Sequence, residues 1–567
     1  MMRRLVGLAL LSVSGFHGEP ESLPRTGLAD LKVVLPTGQC PDLASAQIAM
    51  PADAAIHITG AVEVQNDGPA PYCKVSGYVS PEVHFEVRLP LRTWTQRFVQ
   101  TGCGGLCGNL NIRLSNDASC APAQNGELVL ASTDMGHNGG MDAAWAEGHP
   151  QRAIDFAHRG VHVTTLAAKA ITAAYYGQKP KYSYFAGCSD GGREALMEAQ
   201  RYPEDFDGIT AGAPAMNFIT QNTFYHGWNA VVNKDRNGTT ILTAAQLPVL
   251  HAAAVEACDA LDGLKDGLIS DPTGCHFDPA VVQCKEGQDT AQCLSAAQVD
   301  VARKIYRGAN DGQGHQLVIS GPQYGSELAW EGVYIPRTEN QPVMSAGISV
   351  GTFRYLTSWQ AQPSLTLADM HFDEAEFKKI TPLHTLFDAT DPDLGRFAGL
   401  GHRLIIWHGW SDPHISPLNS IAYYEAMEHT LGGPRVKDFA RLYLFPGGYH
   451  CGGGDGPFSM DLLTPMMQWV ETGMAPDKII AAHTTGGGGA RQGAVDRTRP
   501  VFPYPEQTKY GGQGSIDDAG SFVRVKATEL PAKDLRWAGQ SFYTPGYETW
   551  CTVQASGVQC SAQKSGS

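Results

Sequence analysis

Basic charge is scarce in this chain. Formal net charge is −15 and no lysine or arginine run exceeds a pair, so nothing attracts a polyanion and nucleic-acid binding is not expected. No apolar run is long enough to span a bilayer, so no membrane partner is expected. No C-x-x-C occurs and no histidine stands at ligand spacing beside a cysteine, which argues against structural zinc. No internal repeat is visible. What remains is an ordinary globular composition, 43% hydrophobic and 17% charged over 567 residues. That length suits two domains, or one large domain with an insertion.

Arg3-Arg4 precede the short apolar stretch Leu5–Leu11, so residues 1–20 are expected to be a signal peptide and the protein to be secreted or periplasmic. A frayed cytosolic N-terminus is the other reading. Thirteen cysteines also favour an oxidising compartment. Cys258 with Cys275, Cys284 with Cys293, and Cys551 with Cys560 have the spacing of small disulfide loops. The odd count leaves at least one thiol without a partner inside the chain.

From about residue 55 to 215, strand and helix patterns alternate. Val83–Leu89 has period two, Leu128–Ser132 suits a buried strand, and Arg159–Tyr176 suits a helix. Short apolar strands return at Arg403–His408 and Arg441–Phe445. Between them the pattern changes, with more aromatics, four cysteines and acidic turns. The simplest parsing is one α/β core, 21–215 and 393–524, interrupted by a lid, 216–392. Residues 525–567 form an appended C-terminal extension.

Gly187-Cys188-Ser189-Asp190-Gly191 has the G-x-S-x-G form of a nucleophile elbow, with Tyr182–Gly187 as the strand feeding it and Gly192–Arg201 as the helix leaving it. A serine hydroxyl needs a histidine to take its proton and an acid to orient that histidine. In an α/β-hydrolase the chain order is serine, acid, histidine, and Asp412 and His450, each just past an apolar strand, fit it. Chance matches to G-x-S-x-G arise in a chain with 64 glycines, but three partners in order at strand ends are a stronger signal. If Cys188 and Cys451 are bonded, nucleophile and base are stapled together. The oxyanion would be held by the amide of Asp190 and by one from Thr101–Gly108, with Gly104 chosen.

Asp259, Asp262 and Asp266 recur at spacings of three and four around Gly263 and Gly267. Such a loop offers the hard oxygen ligands that calcium prefers, without the positions of an EF-hand. A solvated acidic turn is the alternative.

Ser132–His137, Tyr184–Arg193, Tyr202–Gly208, Trp407–Pro413, Pro446–Cys451 and Arg499–Pro505 resemble the tannase and feruloyl esterase family of α/β-hydrolases. The resemblance covers about residues 55 to 524. It implies a triad of Ser189, Asp412 and His450 and a Cys188–Cys451 bond. It also implies a large lid holding structural Ca2+ through side chains of Asp259, Asp262 and Asp266 and carbonyls of Leu264 and Leu268. The family often has cysteines where Phe502 and Arg524 stand here. Cys103, Cys107 and Cys120 lie where many members have none; Cys107 is paired with Cys120, Cys40 with Cys73, and Cys103 is left free.

Family substrates are small esters of aromatic acids: feruloyl and other hydroxycinnamoyl esters, galloyl esters in tannins, and in MHETase-like members a terephthalate half-ester. These come attached to plant cell-wall polysaccharide or as polyester fragments. Feruloyl esters are favoured. Phe353, Arg354, Tyr355 and Trp359 in the lid are candidates to contact the acyl ring, with lid–core packing as their other role. Two readings of a different class stand beside the serine esterase: a metal-dependent hydrolase using His408, His414 and His450, and a non-catalytic binding protein.

Overall fold

The computed structural model describes residues 26–51, 54–114, 119–339, 341–485, 493–527 and 536–562; the expected signal peptide lies outside the described residues. The alternating and continuous apolar runs become strands of one sheet. These are β1 (Ile56–Val64), β2 (Tyr72–Val79), β3 (Val83–Pro90), β4 (Arg97–Thr101), β5 (Leu128–Thr133), β6 (Tyr182–Cys188), β7 (Gly208–Gly212), β8 (Arg403–Gly409) and β9 (Ala440–Phe445). They pair in the order β1-β2-β3-β5-β4-β6-β7-β8-β9. Pairing is antiparallel from β1 through β3 to β5, and parallel from β5 to β9.

The parallel strands read as continuous apolar runs because both their faces are covered. Phe98, Ile209, Leu404 and Ile406 enter one core with Ala167 and Ile171 of the helix Gly160–Tyr176. Val99, Tyr184, Ile405 and Trp407 enter the other with Met466, Met467 and Trp469 of the helix Leu463–Thr472. A mixed sheet between two helical layers is the α/β arrangement expected, and its parallel strands all present their C-terminal ends at one edge. At the opposite, N-terminal end of β4, Arg97 donates to both carboxylate oxygens of Glu471 at 2.7 Å, and Tyr184 Oη donates to Glu471 Oε1 at 2.8 Å. Both charged side chains are fully buried.

Between β7 and β8 the chain leaves the sheet. The described residues of 213–402 add helices and short helical turns but no strand to the sheet. Leu250, Ala254, Val299, Ile305, Trp330 and Tyr334 close a separate apolar cluster there. Phe218 and Phe224, at the start of this insertion, belong instead to the main core.

The C-terminal segment is no loose appendage. Trp537 and Phe542 are buried in the main core, Thr390 Oγ1 donates to the Phe542 carbonyl at 2.7 Å, and Arg201 donates to the Thr549 carbonyl at 2.8 Å. The hairpin Trp550–Gln554 and Gly557–Ser561 is closed by Cys551–Cys560.

The structure forms Cys40–Cys73, Cys188–Cys451, Cys258–Cys275 and Cys284–Cys293 as expected. One expected pairing is corrected: Cys107 bonds Cys103 and not Cys120. Cys107 faces the main core and Cys120 the core on the opposite side of the sheet, where its sulfur lies 4.0 Å from Met467 Sδ. Cys103 is therefore not a free thiol.

Candidate active site

β6 ends in a turn that Ser189 makes with φ 67° and ψ −122°. A side chain in that region stores about 1–3 kcal/mol of strain, which the surroundings must impose. They do so by crowding. A Cβ on Gly187 would run into the Gly191 carbonyl, and one on Gly191 would lie 2.8 Å from the Cys103 carbonyl oxygen. Only glycine lets the strand turn into the helix Asp190–Arg201 this sharply, and the serine is left at its tip.

Asp412 follows β8 and is fully buried. Its Oδ1 accepts the amides of His414 at 2.7 Å and Ile415 at 3.1 Å. Its Oδ2 lies 2.6 Å from Nδ1 of His450, in the loop after β9, and 3.1 Å from Nε2 of His408. Because Nε2 of His408 also faces the Ile415 carbonyl at 3.1 Å, the proton is assigned to Nε2, and Nδ1 accepts from Ser420 Oγ at 2.8 Å. Burial pushes the Asp412 carboxyl up, but His450 and His408 outweigh it and hold it well below the usual carboxylate range. An ionised Asp412 fixes Nδ1 of His450 as a donor and leaves Nε2 for chemistry.

Cys188–Cys451 ties the two loops at their flanking residues, Cα to Cα 5.9 Å. Ser189 and His450 line one cavity of about 390 Å³. The His414 ring packs 4.5 Å from that of His450, with His226 behind it. Burial, reinforced by His450, holds His414 well below its ordinary value and lowers His226 to about 3, so both stay neutral at neutral pH. His408, His414 and His450 form no metal-ligand cluster among the described residues. Both ring nitrogens of His408 are turned to Asp412, Ile415 and Ser420.

Gly104 is exposed on the cavity wall facing Ser189. Among the described residues, no protein oxygen accepts the amide of Gly104 or of Asp190. The Cys103 amide, by contrast, is taken by Glu194 at 3.1 Å.

The structure places Phe353, Arg354, Tyr355 and Trp359 away from the lining of this cavity. Phe353 is in the main core, Tyr355 packs against it, Arg354 Nε donates to the Leu365 carbonyl at 2.6 Å, and Trp359 is exposed. The wall is supplied by Asn109, Asn111 and Arg113. No periodic pattern marks that stretch in the sequence; its place directly after the glycine-rich turn is the signal available there.

In the acidic loop, Asp259 accepts the amides of Asp266 at 3.1 Å and Gly267 at 3.0 Å, and Asp262 accepts that of Leu264 at 2.8 Å and the Ser270 hydroxyl at 2.6 Å. Asp266 accepts the Leu268 amide at 3.2 Å and pairs with Arg499 at 2.7 Å. Burial raises the Asp262 carboxyl, and the charges of Asp266 and Asp259 add to it. Among the described residues these three carboxylates do not converge as a metal-ligand group; they cap the loop's own amides and Ser270, and Arg499 pairs with Asp266.

A family model described as tannase and feruloyl esterase matches residues 65–525. An uncharacterised esterase of Xanthomonas campestris pv. campestris is 33% identical over 500 residues, covering 80% of this chain and 84% of that protein. A mono(2-hydroxyethyl) terephthalate hydrolase of Piscinibacter sakaiensis is 32% identical over 517 residues, covering 80% of this chain and 84% of that one. The crystal structure of feruloyl esterase B from Aspergillus oryzae superposes with a TM-score of 0.73 at 26% identity, covering 86% of this chain and 99% of that chain.

Proposed function

The chain belongs to the tannase and feruloyl esterase family, and from that premise we propose a secreted serine carboxylic ester hydrolase acting on esters of aromatic acids. The observation that carries this reading is the 2.6 Å bond from Asp412 to a histidine that shares a cavity with a serine held at positive φ. Nε2 of His450 takes the Ser189 proton as Oγ attacks the ester carbonyl. The amides of Asp190 and Gly104 hold the oxyanion. His450 then protonates the leaving alcohol, and water, activated by the same nitrogen, releases the acid from the acyl-enzyme.

Ser189→Ala should abolish turnover and labelling by a fluorophosphonate while leaving thermal unfolding unchanged. Retained turnover in that variant would sink the mechanism. Feruloyl and related hydroxycinnamoyl esters are the favoured substrates. A second reading, a terephthalate half-ester, is favoured by Arg113 on the cavity wall, since its guanidinium could pair a free acyl carboxylate. Methyl ferulate, methyl gallate and a terephthalate half-ester assayed side by side decide among the three acids.

Residues 216–392 act in this reading as a lid, joined to the acid loop where Tyr225 Oη donates to the Pro413 carbonyl at 2.8 Å. Structural Ca2+ would be held by Asp259, Asp262 and Asp266, with the Leu264 and Leu268 carbonyls, and would brace the loop between Cys258 and Cys275. Six disulfides support an oxidising compartment. No helix among the described residues is long and apolar enough to cross a membrane.

A further inference from the structure

We propose that Glu194 is a positioning residue for ester hydrolysis, holding the oxyanion loop against the nucleophile helix through the Cys103 amide. The inference rests on the serine-esterase reading above. Glu194 lies on the helix Asp190–Arg201, one turn past Asp190, and is buried. Its Oε2 accepts the Cys103 amide at 3.1 Å, and its Oε1 lies 2.9 Å from Cys103 Sγ and 3.4 Å from Cys107 Sγ. The Cys103 carbonyl accepts the Gly191 amide at 2.8 Å. Both sides of Cys103 are therefore tied to the nucleophile helix, and the next amide in the chain is that of Gly104.

The loop has little slack. A Cβ on Gly102 would lie 2.6 Å from Gly191 Cα and 2.7 Å from Glu194 Oε2. The Cys103–Cys107 bond closes Gly104, Gly105 and Leu106 into a small ring, and the Leu106 carbonyl is held by His137 Nε2 at 2.8 Å. Removing the Glu194 carboxyl frees one end of this ring and leaves the half-buried Cys103 amide without its acceptor.

The charge of Glu194 matters as well as its shape. A carboxylate beside the hole would oppose the negative charge that develops on the substrate, whereas a neutral carboxyl still accepts the Cys103 amide through its carbonyl oxygen. Burial and the neighbouring charge of Asp190 raise Glu194 to about 8, against the opposing pull of Arg193 and the Cys103 amide. Glu198 faces it from the same helix and Asp388 approaches Arg193 from the insertion. The bonded sulfurs of the loop contribute no titrating group. As pH rises through this value Glu194 ionises, the hole weakens and kcat falls.

The test measures kcat and KM for an aromatic methyl ester from pH 6 to 9.5 in wild type, Glu194→Ala and Glu194→Gln, with thermal unfolding and fluorophosphonate labelling of Ser189 as controls. Glu194→Ala should lose about 10- to 100-fold in kcat with KM within about twofold. Glu194→Gln, which keeps an acceptor for the Cys103 amide but cannot ionise, should restore kcat at pH 7 and remove the alkaline decline. An alanine variant with wild-type kcat, or a glutamine variant that keeps the wild-type alkaline limb, overturns the proposal; if the alanine variant does not fold, the glutamine pH profile decides. Activity in Ser189→Ala would overturn the esterase reading itself, whereas an inactive Ser189→Ala beside a fully active Glu194→Ala would overturn the positioning role alone.

Discussion

Asp412 Oδ2 sits 2.6 Å from Nδ1 of His450, and the two residues come from loops that follow neighbouring strands β8 and β9. The carboxylate selects the histidine tautomer, so its charge is worth more than its bulk. Asp412→Asn should keep the fold and lose about 10³–10⁴ in kcat. Steady-state kinetics with far-ultraviolet circular dichroism as the folding control checks this.

The same carboxylate links stability to pH. Its folded-state pKa is depressed by His450 and His408, so the stabilisation is present above the unfolded value of about 3.9 and is lost as pH falls below it. Melting temperature should therefore drop more steeply between pH 5 and pH 3 in wild type than in Asp412→Asn, an interval of about two pH units spanning the unfolded carboxylate value. Equal slopes in the two proteins would remove Asp412 from the account of acid sensitivity.

Cys188–Cys451 closes a sequence separation of 263 residues. Chain entropy assigns a bond of that span roughly 5 kcal/mol, with strain and residual unfolded structure reducing it. Because the bonded residues flank Ser189 and His450, the double variant Cys188→Ala/Cys451→Ala should lose kcat as well as melting temperature. A double variant that is less stable yet fully active would confine the bond to a structural role.

Chelation distinguishes a bracing cation from a catalytic one. Excess EDTA should lower the melting temperature, because a ligand bound to the native state alone stabilises it by mass action, while kcat at 25 °C stays unchanged until unfolding begins. Asp262→Asn should weaken that response. Turnover that vanishes on chelation in a still-folded protein would contradict the structural assignment.

Glu471 is the buried partner of Arg97 and accepts from Tyr184 as well. Glu471→Ala leaves a buried guanidinium uncompensated and should cost about 3–5 kcal/mol. Glu471→Leu combined with Arg97→Met should recover much of that loss, as measured by denaturant unfolding.

Much of the fold was legible because it depends on short-range rules. Strand β3 announces itself by alternation at Val83–Leu89, and the buried parallel strands by unbroken apolar runs bounded by glycine or polar loops. The elbow is legible because a turn at Ser189 demands glycine at 187 and 191 on steric grounds. The cysteine doublets signalled the Cys188–Cys451 tether across the insertion. What could not be read was which distant groups would meet. His408 reads in the sequence only as a candidate metal ligand, and its contact with Asp412 through Nε2 depends on how the loop after β8 folds back. Glu194 looks like one more surface glutamate of a helix, since its partner lies ninety-one residues earlier in the chain.

By itself the sequence marked several strands and helices, the elbow, the acidic turn and the three short-spaced cysteine pairs, because steric demands, hydrophobic periodicity and short spacings act between neighbours in the chain. Tertiary structure decided which face of the sheet each cysteine occupies, and so why Cys107 meets Cys103 rather than Cys120. It decided that the C-terminal segment is built into the core, and that Asn109, Asn111 and Arg113, not Phe353 or Trp359, line the cavity at Ser189. Those outcomes depend on how layers pack and which loop lies across from which, and no spacing along the chain encodes a distance through space.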